Sequence, residues 1–92
     1  MATWDAGKWL SGLMGLQEGE LTVRSIDHYG DRETQVRYEK DGQAVARVTV
    51  VGPIREMLEH EGEGRWEIKA QVGSGTSNVE TIELPETDEI VY

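Results

Sequence analysis

The dipeptide Asp41-Gly42 constrains this chain more than any other feature. It lies between a run in which Thr34, Val36 and Tyr38 alternate with Gln35, Arg37 and Glu39, and a second run through Ala44, Val45, Ala46, Val48, Val50 and Val51. Asp-Gly takes the positive φ values of a two-residue turn whose twist matches that of the flanking strands, so the two runs are predicted to fold back on each other as a hairpin. In the second run Val45 and Val51 share a mixed face with Arg47 and Thr49, which predicts a central strand partly covered on both sides.

The other segments extend that hairpin. Leu21, Val23 and Ile26, with Thr22 between the first two, predict a preceding strand whose alternation slips near Ser25, as a bulge makes it do. Trp66, Ile68, Ala70 and Val72 alternate with Arg65, Glu67, Lys69 and Gln71. After the turn from Gly73 to Ser77 a last strand runs from Asn78 to Leu84 and stops at Pro85, giving a second hairpin. Near the start, Ala6, Trp9, Leu10, Leu13 and Met14 fall on one face of a helix that Thr3 or Asp5 can cap and Gly15 can stop. Gly7 and Gly12 each weaken that helix by about 1 kcal/mol relative to alanine, so it depends on packing against the sheet. Gly52-Pro53 is expected to end the third strand, with Pro53 opening a short helix through Ile54, Met57 and Leu58 that Gly62 and Gly64 end.

The expected fold class is therefore α+β: an antiparallel sheet of about five strands, an N-terminal helix packed on one face, and a short helix between the third and fourth strands. Residues 1–92 are expected to form one compact domain with a short acidic C-terminal tail, residues 86–92, ending in Ile90, Val91 and Tyr92. The apolar stretch from Trp9 to Leu16 is broken by Ser11, Gly12 and Gly15, so neither a signal peptide nor a membrane span is expected. With no cysteine, disulfides and thiolate chemistry are excluded, and the cytoplasm is the expected compartment, that of the host if the chain is phage-encoded.

Charge narrows the partner. The 92 residues carry 18 acids and 9 bases, a net of −9, and the imbalance belongs to the second half: residues 51–92 hold ten acids and three bases, with no base after Lys69. Direct nucleic-acid binding is disfavoured, because phosphate contacts need Lys and Arg. A basic protein surface is the expected partner, against two plainer accounts in which the acids only solubilise the chain or reflect adaptation to high salt.

No catalytic or cofactor motif survives inspection. The Gly73 to Ser77 loop lacks the lysine of a phosphate cradle and leads into a strand. Ser25, Asp27 and His28 supply the residue types of a triad, but on an extended strand neighbouring side chains point to alternating faces. His60 among Glu59, Glu61 and Glu63 offers one imidazole and no defined coordination sphere. Catalytic, cofactor and metal sites are thus expected to be absent. The candidate partner-binding residues are Glu80 and Glu83 on opposite faces of the last strand, Glu86, Asp88 and Glu89 just beyond, and Glu59, Glu61 and Glu63 before the fourth strand.

The expectation that follows is a small acidic non-enzymatic binding protein. It would dock on a basic surface of a nucleic-acid-handling complex and inhibit it, in the manner of a phage-encoded inhibitor such as an anti-CRISPR protein, although no motif ties the chain to such a family. It would be a monomer or small homo-oligomer. The alternative is a structural or assembly subunit, of a virion or a secretion apparatus, that forms homo-oligomers through a sheet edge or the Trp4/Trp9 helix.

Overall fold

The computed structural model describes residues 3–55, 64–73 and 79–92. In chain order the elements are β1 (Thr3–Asp5), α1 (Ala6–Met14), β2 (Thr22–Tyr29), β3 (Glu33–Lys40), β4 (Gln43–Arg55), β5 (Gly64–Val72), β6 (Val79–Pro85) and β7 (Glu89–Val91). Strands β2 to β6 form one antiparallel sheet in sequence order, so β4 is central, as the Asp41-Gly42 hairpin and the mixed valine strand predict. Asp41 and Gly42 adopt φ values of 54° and 79°, the pair a type I′ turn requires. The expected slip in β2 is present, its register shifting between Val23 and Ser25.

Two features depart from the sequence-based expectation. The third strand of the sheet, β4, does not end at Gly52-Pro53. Its register shifts between Val51 and Ile54, after which Ile54 pairs with Arg65 and Arg55 with Gly64. Pro53 therefore does not open a helix. It occupies an irregular position in the ladder, where a residue without an N–H loses no pairing hydrogen bond. The rest of the expected helix, with Met57 and Leu58, lies outside the described residues. The second departure is β7, which the acidic C-terminal segment provides and which pairs in parallel with β1: Thr3 with Glu89, Trp4 with Ile90, Asp5 with Val91.

Helix α1 forms as its caps dictate. The Asp5 carboxylate accepts from the Lys8 backbone N–H at 2.9 Å, and Gly15 turns left-handed at φ 69° to end it. Its buried residues are Ala6, Leu10 and Ser11, while Leu13 is exposed, so the helix is rotated slightly from the face its spacing implied. Ala6 and Leu10 join Val36, Tyr38, Ala46, Val48, Val50, Ile68 and Ala70 in the core, with Trp4, Trp9, Trp66, Ile82, Ile90 and Tyr92 packed around them. All of this lies on one side of the sheet. The radius of gyration is 13.9 Å, against roughly 12 Å for a compact domain of this length.

Two substitutions test this packing. Gly52 is buried with φ 138°, and a Cβ there would lie 2.9 Å from the Arg65 carbonyl oxygen and 3.1 Å from the Trp66 ring. Gly52→Ala is expected to cost about 1–3 kcal/mol in a denaturant melt, and a neutral result would mean that the β4–β5 contact is looser than described. The Tyr38 hydroxyl is buried with no hydrogen-bond partner among the described residues. Burial first, then the charges of Asp5 and Tyr92, push its pKa well above the ordinary phenol value of about 10. The folded state thus favours the neutral phenol, so this contribution is complete below about pH 10 and is lost as pH rises above it. Tyr38→Phe is expected to retain stability or gain up to about 1 kcal/mol at neutral pH and to reduce the alkaline loss, whereas a loss above about 1 kcal/mol would show that the hydroxyl is hydrogen-bonded.

Candidate protein-binding faces

The face of the sheet opposite the core carries no helix among the described residues, and its side chains fall into rows fixed by strand register. One row runs Tyr29, Glu33, Val51, Glu67, Glu83; the next runs Asp27, Gln35, Thr49, Lys69, Thr81; the third runs Ser25, Arg37, Arg47, Gln71, Val79. Four residues of extended chain separate the first row from the third, about 13 Å. Charge is segregated between them. Glu33, Glu67 and Glu83 occupy the first row, Asp27 and Lys69 the second, and Arg37 and Arg47 the third.

Local contacts orient several of these groups. Arg65, at the edge of the acidic row, lies 3.8 Å from Glu67 and 3.7 Å from Glu83, and Gln35 donates to Glu33 at 2.7 Å. Arg47 donates to the Gln71 side-chain oxygen at 2.8 Å. Two shallow hollows meet at Arg47: one of about 480 Å³ toward the acidic row, bordered by Glu33, Thr49, Glu67, Lys69 and Glu83, and one of about 280 Å³ toward the basic row, bordered by Arg37, Val45, Gln71 and Gly73. Both hollows lie on the face of the sheet opposite the core.

The acidic residues singled out from sequence are dispersed around β6 and β7. Glu80 pairs with Ala70 and so lies on the core side of the edge strand, whereas Glu83 lies opposite Glu67 on the open face. Glu86 is engaged by Arg55, whose Nε and Nη2 both donate to its carboxylate, and its backbone N–H donates to the Gly64 carbonyl at 2.9 Å. The hydrogen bond from Arg55 holds the Glu86 carboxyl below its ordinary range. Asp88 and Glu89 are exposed, Glu89 opposite Thr3 in the parallel pair. Glu59, Glu61 and Glu63 lie outside the described residues. Glu33 and Glu67 were not singled out from sequence. The β5–β6 hairpin places Glu67 opposite Glu83, a signal the sequence offered, whereas Glu33 joins the row only through the β4–β5 pairing of Val51 with Glu67, which no turn in the sequence fixes.

The catalytic candidates do not converge. Ser25 and Asp27 share the open face while His28 lies on the other and its Nδ1 is 3.1 Å from the Thr34 hydroxyl. Among the described residues no three His, Asp or Glu side chains gather as a metal would need. No helix among them is long and apolar enough to cross a membrane. The Trp4 and Trp9 rings pack together at 5.5 Å and 46° beside the core. No protein-family model matches the chain, and no curated protein or solved structure matches it with significance.

The Arg55–Glu86 pair fastens the end of β4 to the segment that leads into β7. Because the folded carboxyl is held below its ordinary pKa, the contribution is complete above about pH 4.3 and is lost as pH falls through the lower folded value. Glu86→Gln is expected to lower the melting temperature at neutral pH and to flatten its fall in acid. An unchanged melt at both ends would show that this exposed pair contributes nothing measurable.

Proposed function

We propose that the protein is a small, acidic, non-enzymatic binding protein that docks on a basic surface of a nucleic-acid-handling complex and inhibits it, as a phage-encoded inhibitor of the anti-CRISPR kind would. The observation that carries this reading is the row of Glu33, Glu67 and Glu83 on an open sheet face, in a chain of net charge −9. Carboxylates spaced along a face without a cleft suit steering onto a complementary protein surface, where they act mainly on encounter rate. The setting that fits is the cytoplasm of the host cell, with the chain as a monomer or small homo-oligomer.

A second reading, an assembly subunit, has its own observation. Strand β2 is an outer edge of the sheet and leaves Val23, Ile26 and Tyr29 between 39% and 49% exposed. An apolar edge strand can extend its sheet with another copy. Light scattering separates the two readings, since the first requires a monomer or small oligomer before the partner is added.

The test of the first reading is capture of a partner at low salt that is lost at high salt, followed by kinetics on a charge variant. Glu33→Gln, Glu67→Gln and Glu83→Gln together neutralise the row, spare the Arg55–Glu86 pair and should leave the melt nearly unchanged. Association should slow about ten-fold or more at low ionic strength and converge with the parent at high ionic strength. An unchanged rate in both salts would mean that these carboxylates only solubilise the chain, and the contact would then lie on the first half, around Arg24, Arg32, Arg37 and Arg47.

A further inference from the structure

Arg37 and Arg47 stand directly opposite each other on β3 and β4, pointing from the open face of the sheet. Like charges in that position repel, and each is worse placed than an arginine with a carboxylate across the strand. The chain holds 18 carboxylate side chains, yet no ion pair joins Arg37 or Arg47 to any of them among the described residues. Glu39, two residues beyond Arg37 on β3, forms no ion pair with it. Gln71, the next member of the row, accepts from Arg47 Nη2 at 2.8 Å and so fixes one guanidinium without neutralising it.

The space beside the pair suits a small group. The hollow of about 280 Å³ is bordered by both arginines, Gln71 and Gly73, together with the small residues Ala44, Val45 and Ala46. Val45 is the additional residue of β4 where the β3–β4 register shifts between Tyr38 and Glu39, so the ladder is interrupted at this position. Guanidiniums carried on directly paired residues of neighbouring strands can turn their N–H donors toward one anion, and the forked donors of arginine match the paired oxygens of a carboxylate or phosphate.

We propose that Arg37 and Arg47, with Gln71 orienting Arg47, form an oxyanion-binding site that takes a carboxylate or a phosphate group. The bound anion lies between the guanidiniums and removes the repulsion that the free protein carries. The site lies about 13 Å along the strands from the acidic row, with Arg47 bordering both hollows, and its test needs no protein partner.

The experiment follows the arginine Nε–H resonances by NMR at low ionic strength while inorganic phosphate is titrated in one series and succinate in another, with chloride at matched ionic strength as reference. Arg37 and Arg47 should shift together and saturate in at least one series, while Arg24 and Arg32 move no more than in chloride. Saturation with phosphate alone assigns a phosphate group, and saturation with succinate assigns a carboxylate. Arg37→Gln should weaken the responding anion about ten-fold at Arg47. It should also leave the melting temperature equal to or above that of the parent, because it relieves a like-charge pair. Shifts at Arg37 and Arg47 no larger than those at Arg24 and Arg32, or an unaltered titration of Arg47 in Arg37→Gln, would overturn the assignment.

Discussion

The parallel pairing of Thr3–Asp5 with Glu89–Val91 is the contact on which the rest of the molecule depends. Helix α1 has nine residues and two glycines, too short and too weak to persist alone in water. The pairing places Trp4, Ile90 and Tyr92 beside the core, while Asp5 at the end of β1 caps the helix and delivers Ala6 and Leu10 onto Tyr38 and its neighbours. One sheet face is thereby closed by elements from both ends of the sequence.

Closure on one side decides the character of the other. The buried residues Val36, Val48, Val50 and Ile68 are committed to the covered face while Gln35, Arg47, Thr49 and Lys69, together with Val51, are left on the open one. Register then turns a scattered set of charges into bands. No single strand carries a charge pattern of note; the bands arise because Glu33, Glu67 and Glu83 fall in one row and Arg37 and Arg47 in another.

Much of this was legible in the sequence, for local reasons. Asp41-Gly42 has few alternatives to a tight turn, and strands that alternate cleanly on either side of it cannot slip by one residue without turning the core outward. The slip near Ser25 was legible because alternation itself breaks there. What escaped detection depended on distant contacts. Proline after glycine ordinarily reads as punctuation, and only the pairing of Ile54 with Arg65 and of Arg55 with Gly64 carries β4 past it. Residues 86–92 read as an acidic tail because β7 has three residues and its partner is 86 positions away, between Thr3 and Glu89. The engagement of Glu86 by Arg55 was hidden for the same reason, since 31 residues separate them. The candidate interface changes accordingly: Glu86 is part of the scaffold, and Glu33 and Glu67 enter the acidic row.

One face of the sheet buries the core and the other is open among the described residues. Methyl NMR with a soluble paramagnetic probe measures this directly. The methyls of Thr49 and Thr81 should relax strongly with added probe, while those of Val48, Val50 and Ile68, on the same or adjoining strands, should hardly respond. Protection of Thr49 and Thr81 equal to that of Val48 would contradict the account, because the face read as a docking surface would then already be covered.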